Sequence, residues 1–160
     1  MTPRNLNWDG CHNVRDLGGL PTVDGGRTRP GAIVRADLLG RLTTAGKLQL
    51  LEYGVGTIID LRTQREIAEA PPADFAANGR APVYVNPRAQ QQLPSVTARL
   101  KRATTRAELY SLLIDHYPLS NVRLIRAVAG AGAGGVVIHC HSGKDRTGIA
   151  AALLLSLAGV

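Results

Sequence analysis

Val136-Val137-Ile138-His139-Cys140-His141-Ser142-Gly143-Lys144-Asp145-Arg146-Thr147-Gly148 decides how this chain folds. The opening residues are β-branched and apolar on both faces, which suits a strand at the centre of a parallel sheet, over residues 136–140. An apolar run follows and predicts a helix over about 146–158. Between them, Cys140 and Arg146 are separated by five residues. That spacing lets the backbone curl with its N–H groups inward, and such a nest at a helix N-terminus binds anions. Gly143 permits a backbone conformation closed to residues with a Cβ. Arg146 stands where its planar fork can grip two oxygens of a phosphate. The same donors favour a thiolate at Cys140. A thiolate beneath a bound phosphate suits in-line attack on phosphorus through a covalent intermediate, with no metal or other cofactor required. Arg146 and the loop amides would stabilise the transferred oxygens. Thr147 could donate its hydroxyl to the departing sulfur.

Working outward, residues 13–29 are rich in turn formers and predict a loop or hairpin. Residues 32–34 form a short strand candidate. Thr43 or Thr44 can cap a helix that carries Leu48 and Leu51 and stops at Gly54. Residues 55–61 predict a strand running into a charged segment, 62–69, and residues 82–85 predict another. Residues 86–105 are polar and basic, and suit either a mobile lid or an ordinary solvated loop. Helices are expected over 106–117, where Leu109, Leu112, Leu113 and His116 share a face, and over 119–129, with Pro118 breaking the two. Strands alternating with helices indicate an α/β domain. Its central sheet would be mostly parallel, of four to five strands flanked by helices, with the Cys140 loop between a central strand and a helix. The last helix, 149–157, is apolar nearly all round and calls for cover on more than one side.

The chain has 160 residues, a length that suits one domain. Hydrophobic residues at 44% supply a core and exclude disorder. The net charge of +7 favours anionic partners. Nucleic acid is not expected among them, since aromatic residues at 4% leave few stacking platforms. The two cysteines, Cys11 and Cys140, are too few for a disulfide scaffold and suit a reducing compartment. Residues 1–13 lack a signal-peptide core, and the apolar stretch 149–160 is too short to span a membrane. A cytoplasmic location is therefore expected, with non-classical export left open. Other loop chemistries fit less well. Gly143-Lys144 is followed by Asp145, which spoils a Walker A loop. The Gly-x-Gly-x-x-Gly of residues 130–135 precedes a strand instead of following one. A zinc site at His139, Cys140 and His141 lacks a second ligand pair.

Residues 139–148, HCHSGKDRTG, resemble the protein tyrosine phosphatase superfamily signature His-Cys-x5-Arg-Thr/Ser. They are closer still to the bacterial tyrosine-protein phosphatases that carry HCxxGKDRTG, a group that includes a secreted mycobacterial phosphatase active on phosphotyrosine and phosphoinositides. Residues 13–19, NVRDLGG, match that group's NxRDLGG motif, and residues 57–62, TIIDLR, are similar to its strand ending in DLR. The resemblance runs from about residue 5 to residue 160. It implies a metal-independent tyrosine or dual-specificity phosphatase acting through a cysteinyl-phosphate. Its partners would be phosphorylated proteins, on tyrosine or serine/threonine, or phosphoinositides. Cys140 would be the nucleophile and Arg146 the phosphate clamp, with His141, Ser142, Gly143, Lys144 and Asp145 completing the phosphate loop. Lys144 would add positive charge for lipid or multiply phosphorylated substrates.

Other members of the superfamily take their general acid from a Trp-Pro-Asp loop. Here the one tryptophan is Trp8, followed by Asp9. Asp145 is therefore the leading acid, then Asp60, then Asp37. Asp60 is also expected to hold Arg146. His139 would orient the loop, Asn13, Arg15 and Asp16 would brace it, and the basic run Arg99, Lys101, Arg102 and Arg106 could recruit acidic substrates. A phosphate-binding pseudophosphatase is the alternative, although Cys140 and Arg146 are both present. The family extends beyond the helix that closes this chain. The sequence therefore reads as one phosphatase domain truncated at its C-terminus, with a further segment or a second copy covering the last helix.

Overall fold

The computed structural model describes residues 4–76, 81–87 and 94–160. Five strands form one sheet in the order β1-β2-β5-β3-β4. They are β1 (Arg15–Asp16), β2 (Ile33–Ala36), β3 (Val55–Asp60), β4 (Val83–Val85) and β5 (Gly135–His139). Only β1 runs antiparallel to its neighbour, and β2, β5, β3 and β4 pair in parallel. The mostly parallel α/β architecture expected from the sequence is the one observed. Among the described residues, six α-helices connect and cover these strands: α1 (Thr44–Glu52), α2 (Gln64–Glu69), α3 (Pro94–Arg102), α4 (Arg106–His116), α5 (Pro118–Ala129) and α6 (Asp145–Leu157).

Strand β5 is buried at every residue, and successive side chains feed opposite cores. Val137 joins Trp8, Val34, Leu39, Leu50, Ile58 and Phe75 on one face. Val136 and Ile138 join Ile59, Leu61, Leu124, Ala150 and Leu154 on the other. That alternation of period two, buried on both sides, makes β5 central. Each fully buried Val, Leu or Ile contributes about 1.5–3 kcal/mol of transfer free energy. The site lies beyond the carboxyl ends of β5 and β3, where open parallel sheets place their ligands.

Local signals explain the helix ends. The Thr43 hydroxyl accepts a hydrogen bond from the Gly46 amide at the start of α1. Gly54, at φ +88°, turns the chain out of α1 into β3. Pro118 separates α4 from α5 by occupying the first position of α5, where its missing N–H costs nothing.

The charged segment 62–69 contains α2, with Thr63 and Glu66 forming a capping box. One expectation needs correction. The stretch 86–105, expected to be a lid or loop, contains the nine-residue helix α3; residues 88–93 lie outside the described residues. Val96 is buried and Leu100 half-buried, four residues apart on one side of α3, while Arg99, Lys101 and Arg102 lie outside. The helix α6 is covered on more than one side, by β2 and β5 and by α4 and α5, while Ala152, Ser156 and Leu157 are exposed, with Leu157 at 67%. Among the described residues, no helix is long and apolar enough to cross a membrane.

Candidate active site

The loop between β5 and α6 is held from outside by its carbonyls. His141 O accepts from the Leu38 amide at 3.2 Å. Asn13 Nδ2 donates to Ser142 O (3.2 Å) and Gly143 O (3.1 Å), and Arg35 Nη2 donates to Gly143 O at 2.5 Å. Turning the carbonyls outward turns the amides inward. Among the described residues, no protein group accepts from the amides of Ser142 to Arg146. Backbone donors are seldom left unpaired without a purpose, and a ring of them forms an anion nest. Gly143 lies at φ +66°, and a Cβ there would stand 2.7 Å from Ala36 O, so only glycine fits.

Cys140 is buried at the floor of this loop, 2% exposed. The hydroxyl of Thr147, on the first turn of α6, donates to its sulfur at 3.1 Å. Arg146 leaves the same turn and meets Glu66 of α2 end-on: Nη1 to Oε2 and Nη2 to Oε1, both at 2.7 Å. Nη1 also donates to Leu61 O at 3.3 Å. The Arg146 hydrogen bonds hold the Glu66 carboxyl down at about 2, against its burial.

Asp60 does not hold Arg146, contrary to expectation. Its carboxylate receives Arg62 Nε at 3.0 Å, Arg62 Nη2 at 2.7 Å and the Tyr84 hydroxyl at 2.7 Å. Asp60 and Arg62 are both fully buried, so each must neutralise the other. Burial pushes the Asp60 carboxyl up, but Arg62, His139 and Tyr84 together leave it lowered. A carboxylate saturated in this way is poorly placed to give a proton to a leaving group. Arg62 Nη1 continues to Ala70 O (2.6 Å) and Glu66 O (3.4 Å), closing the end of α2. His139 Nε2 lies 3.6 Å from Asp60, and Nδ1 lies 3.2 Å from Cys140 O. Burial lowers the His139 pKa, which keeps the ring neutral.

Asp145 stands at the rim. Its Oδ1 receives Arg106 Nη1 at 2.6 Å and the Tyr110 hydroxyl at 2.9 Å, both from α4, while Oδ2 takes no hydrogen bond from the described residues. Asp37, the third acid candidate, is 3% exposed and accepts the amides of His12 and Asn13. It fixes the backbone that carries Asn13, and as a buried acceptor it is badly placed as an acid. Asp16 accepts from the Gly18 and Gly31 amides and the Tyr53 hydroxyl, and so shapes the turn after β1. Arg15, His141, Ser142 and Lys144 are exposed. Of the basic run, Arg106 reaches the site and Arg99 meets His116 at 3.0 Å. Cys11 is a free thiol pushed up to about 12 by burial and by Asp37. Among the described residues, no group of three metal-ligating side chains converges.

Sequence reasoning missed Arg35, Glu66, Arg62 and Tyr110. The Thr63-x-x-Glu66 spacing was a legible signal for one of them.

With this geometry in view, the match over residues 6–160 to the family model described as the tyrosine phosphatase family is decisive. The chain belongs to the tyrosine phosphatase family. It is 34% identical over 166 residues to a Cupriavidus necator protein named as a tyrosine-protein phosphatase, covering 98% of this chain and 58% of that one. A tyrosine-protein phosphatase of Nostoc commune is 35% identical over 131 residues, covering 81% and 44%. The triple specificity protein phosphatase PtpB of Mycobacterium tuberculosis is 29% identical over 182 residues, covering 94% and 63%. The chain thus spans about half the length of the curated relatives it matches.

Proposed function

We propose that this tyrosine phosphatase family member is a cysteine-dependent phosphomonoesterase. The observation that carries this is the loop itself: carbonyls tied outward, amides unpaired, and Cys140 beneath them with Thr147 on its sulfur. Cys140 Sγ attacks phosphorus as the P–O bond to the leaving group breaks, giving a cysteinyl-phosphate. The amides and Arg146 neutralise the equatorial oxygens. Asp145, at the rim, gives its proton to the departing oxygen. In the second step water attacks phosphorus, its proton goes to Asp145, the S–P bond breaks and Thr147 bonds the emerging thiolate. Substrates are phosphotyrosine and, in view of the triple specificity named for the M. tuberculosis relative, phosphoserine/threonine or phosphoinositides.

Phosphate release from matched phosphotyrosine, phosphoserine/threonine and phosphoinositide substrates, with chelator present, tests the proposal. Turnover of at least the phosphotyrosine substrate is expected, lost in Cys140→Ser. Tight binding without turnover would favour a phosphate-recognition module instead.

A further inference from the structure

Strands β1 and β2 set two arginines face to face. Their antiparallel register puts Arg15 directly opposite Arg35. Residues so opposed share one face of the sheet, with Cβ atoms about 4.5–5.5 Å apart, and like charges there repel. Among the described residues, neither arginine pairs with a carboxylate. Asp16, the acid next to Arg15, belongs to the opposite face of β1. Its carboxylate is taken by the Gly18 and Gly31 amides and the Tyr53 hydroxyl.

Arg35 is the better fixed of the two. Its Nη2 donates to Gly143 O, while its Nε is buried and meets no acceptor among the described residues. A buried donor without a partner calls for an explanation. Burial and the charge of Arg15 push the Arg35 pKa down, against Cys140 and Tyr110, although an arginine stays charged throughout. Arg15 is exposed, as are Ser142 and Lys144 on the phosphate loop. The outer wall of the loop thus carries positive charge that no acid of the described chain balances.

This patch lies apart from the nest that takes the scissile phosphate. Arg35 meets the loop at a carbonyl, so the backbone of Gly143 stands between its guanidinium and the inward amides. An anion on the patch must therefore belong to a part of the substrate that crosses the rim. A second phosphate on the same small ring, as in an inositol headgroup, lacks that reach. A peptide has it, extending about 3.3–3.6 Å per residue away from a phosphotyrosine. An aspartate or glutamate in that peptide brings a planar carboxylate, which suits an arginine fork.

We propose that Arg15 and Arg35 form a subsite for an acidic residue flanking the phosphotyrosine of a peptide substrate. This deepens the phosphomonoesterase proposal and rests on it. Arg15 supplies the accessible donors, Arg35 supplies positive charge behind them, and the incoming carboxylate relieves their mutual repulsion.

The test compares full-chain wild type, Arg15→Gln and Arg15→Glu on three phosphotyrosine peptides that differ only in carrying Glu, Ala or Lys on both sides of the phosphotyrosine. The readout is the ratio of kcat/KM between peptides, so a general loss of activity in a variant cancels. Wild type should favour the Glu peptide over the Ala peptide by about 5- to 30-fold, between the values for an exposed ion pair and a charged hydrogen bond. The preference should shrink as salt is raised. Arg15→Gln should cut it to about threefold or less. Arg15→Glu turns the cross-strand repulsion into attraction, so it should melt no lower than wild type and should favour the Lys peptide over the Glu peptide. A wild-type ratio near one, or the same ratio in wild type and Arg15→Gln, would overturn the proposal. So would an effect of Arg15→Gln confined to vesicles of phosphatidylinositol bisphosphate, because the ligand would then be a lipid phosphate. If wild type turns over neither these peptides nor nitrophenyl phosphate, the enzyme reading fails. Affinities of the same peptides measured by calorimetry then supply the ratios and still decide whether the subsite exists.

Discussion

Thr147→Val should separate the two chemical steps. Thr147 is fully buried, and its hydroxyl donates to Cys140 Sγ at 3.1 Å. Valine has nearly the same shape, so neither cavity nor clash is introduced, and only the donor is lost. In the second step sulfur leaves as a thiolate, and a hydrogen bond to a charged group is worth about 1.5–3 kcal/mol. At about 1.4 kcal/mol per tenfold, hydrolysis of the cysteinyl-phosphate should slow by about 10- to 150-fold. The first step uses sulfur as the nucleophile and should slow far less. Rapid mixing with nitrophenyl phosphate should therefore give a burst of nitrophenol approaching one equivalent, then a slow steady state. Loss of activity without a burst would mean that Thr147 acts before the intermediate forms. An unchanged kcat would mean the Thr147–sulfur contact has no part in the chemistry.

Three further outcomes follow from particular contacts. Asp145→Asn should cost about 10²–10⁴-fold with poor leaving groups such as phenyl phosphate and little with nitrophenyl esters, because acid help grows with the basicity of the departing oxygen. An equal loss across a leaving-group series would reduce Asp145 to a loop-shaping role. Arg62→Met strands buried Asp60 and should destabilise by about 3–5 kcal/mol, lowering the melting temperature by about 6–20 °C; an unchanged melt would refute the buried pair. Glu66 is held at about 2, below its ordinary 4.5, by the Arg146 hydrogen bonds. A depressed carboxyl adds stability that is complete above about 4.5 and is lost as pH falls toward about 2. Denaturant titrations across that window should show the slope in wild type and a shallower one in Glu66→Gln, and identical slopes would count against the ion pair.

The fold and the course of the loop from Cys140 to Arg146 were legible because their signals are local. Val136-Val137-Ile138 is apolar on both faces, Gly143 needs its φ, and Cys140 and Arg146 stand at a fixed spacing. The bracing around the loop was harder to read, because it comes from residues far away in the chain. Asn13 and Arg35 reach loop carbonyls more than a hundred positions away. Asp60 was expected on Arg146 because it ends the neighbouring strand. Arg62, two residues on, folds back and takes the carboxylate first, leaving Arg146 to Glu66. Helix α3 was hidden because only Val96 and Leu100 mark its inner side within a basic stretch. That the last helix lacks full cover was legible, because residues 149–157 are apolar nearly all round, but sequence alone could not show which side the sheet leaves uncovered.

The central claim is that phosphate passes through the sulfur of Cys140. Acid-quenching the chain within its first turnovers of an aryl phosphate, then mapping peptides by mass spectrometry under mild conditions, tests this directly. Phosphate is expected on the peptide containing Cys140, at higher occupancy in Thr147→Val and absent in Cys140→Ser. Steady turnover with no phosphate on Cys140 in either wild type or Thr147→Val would contradict the account.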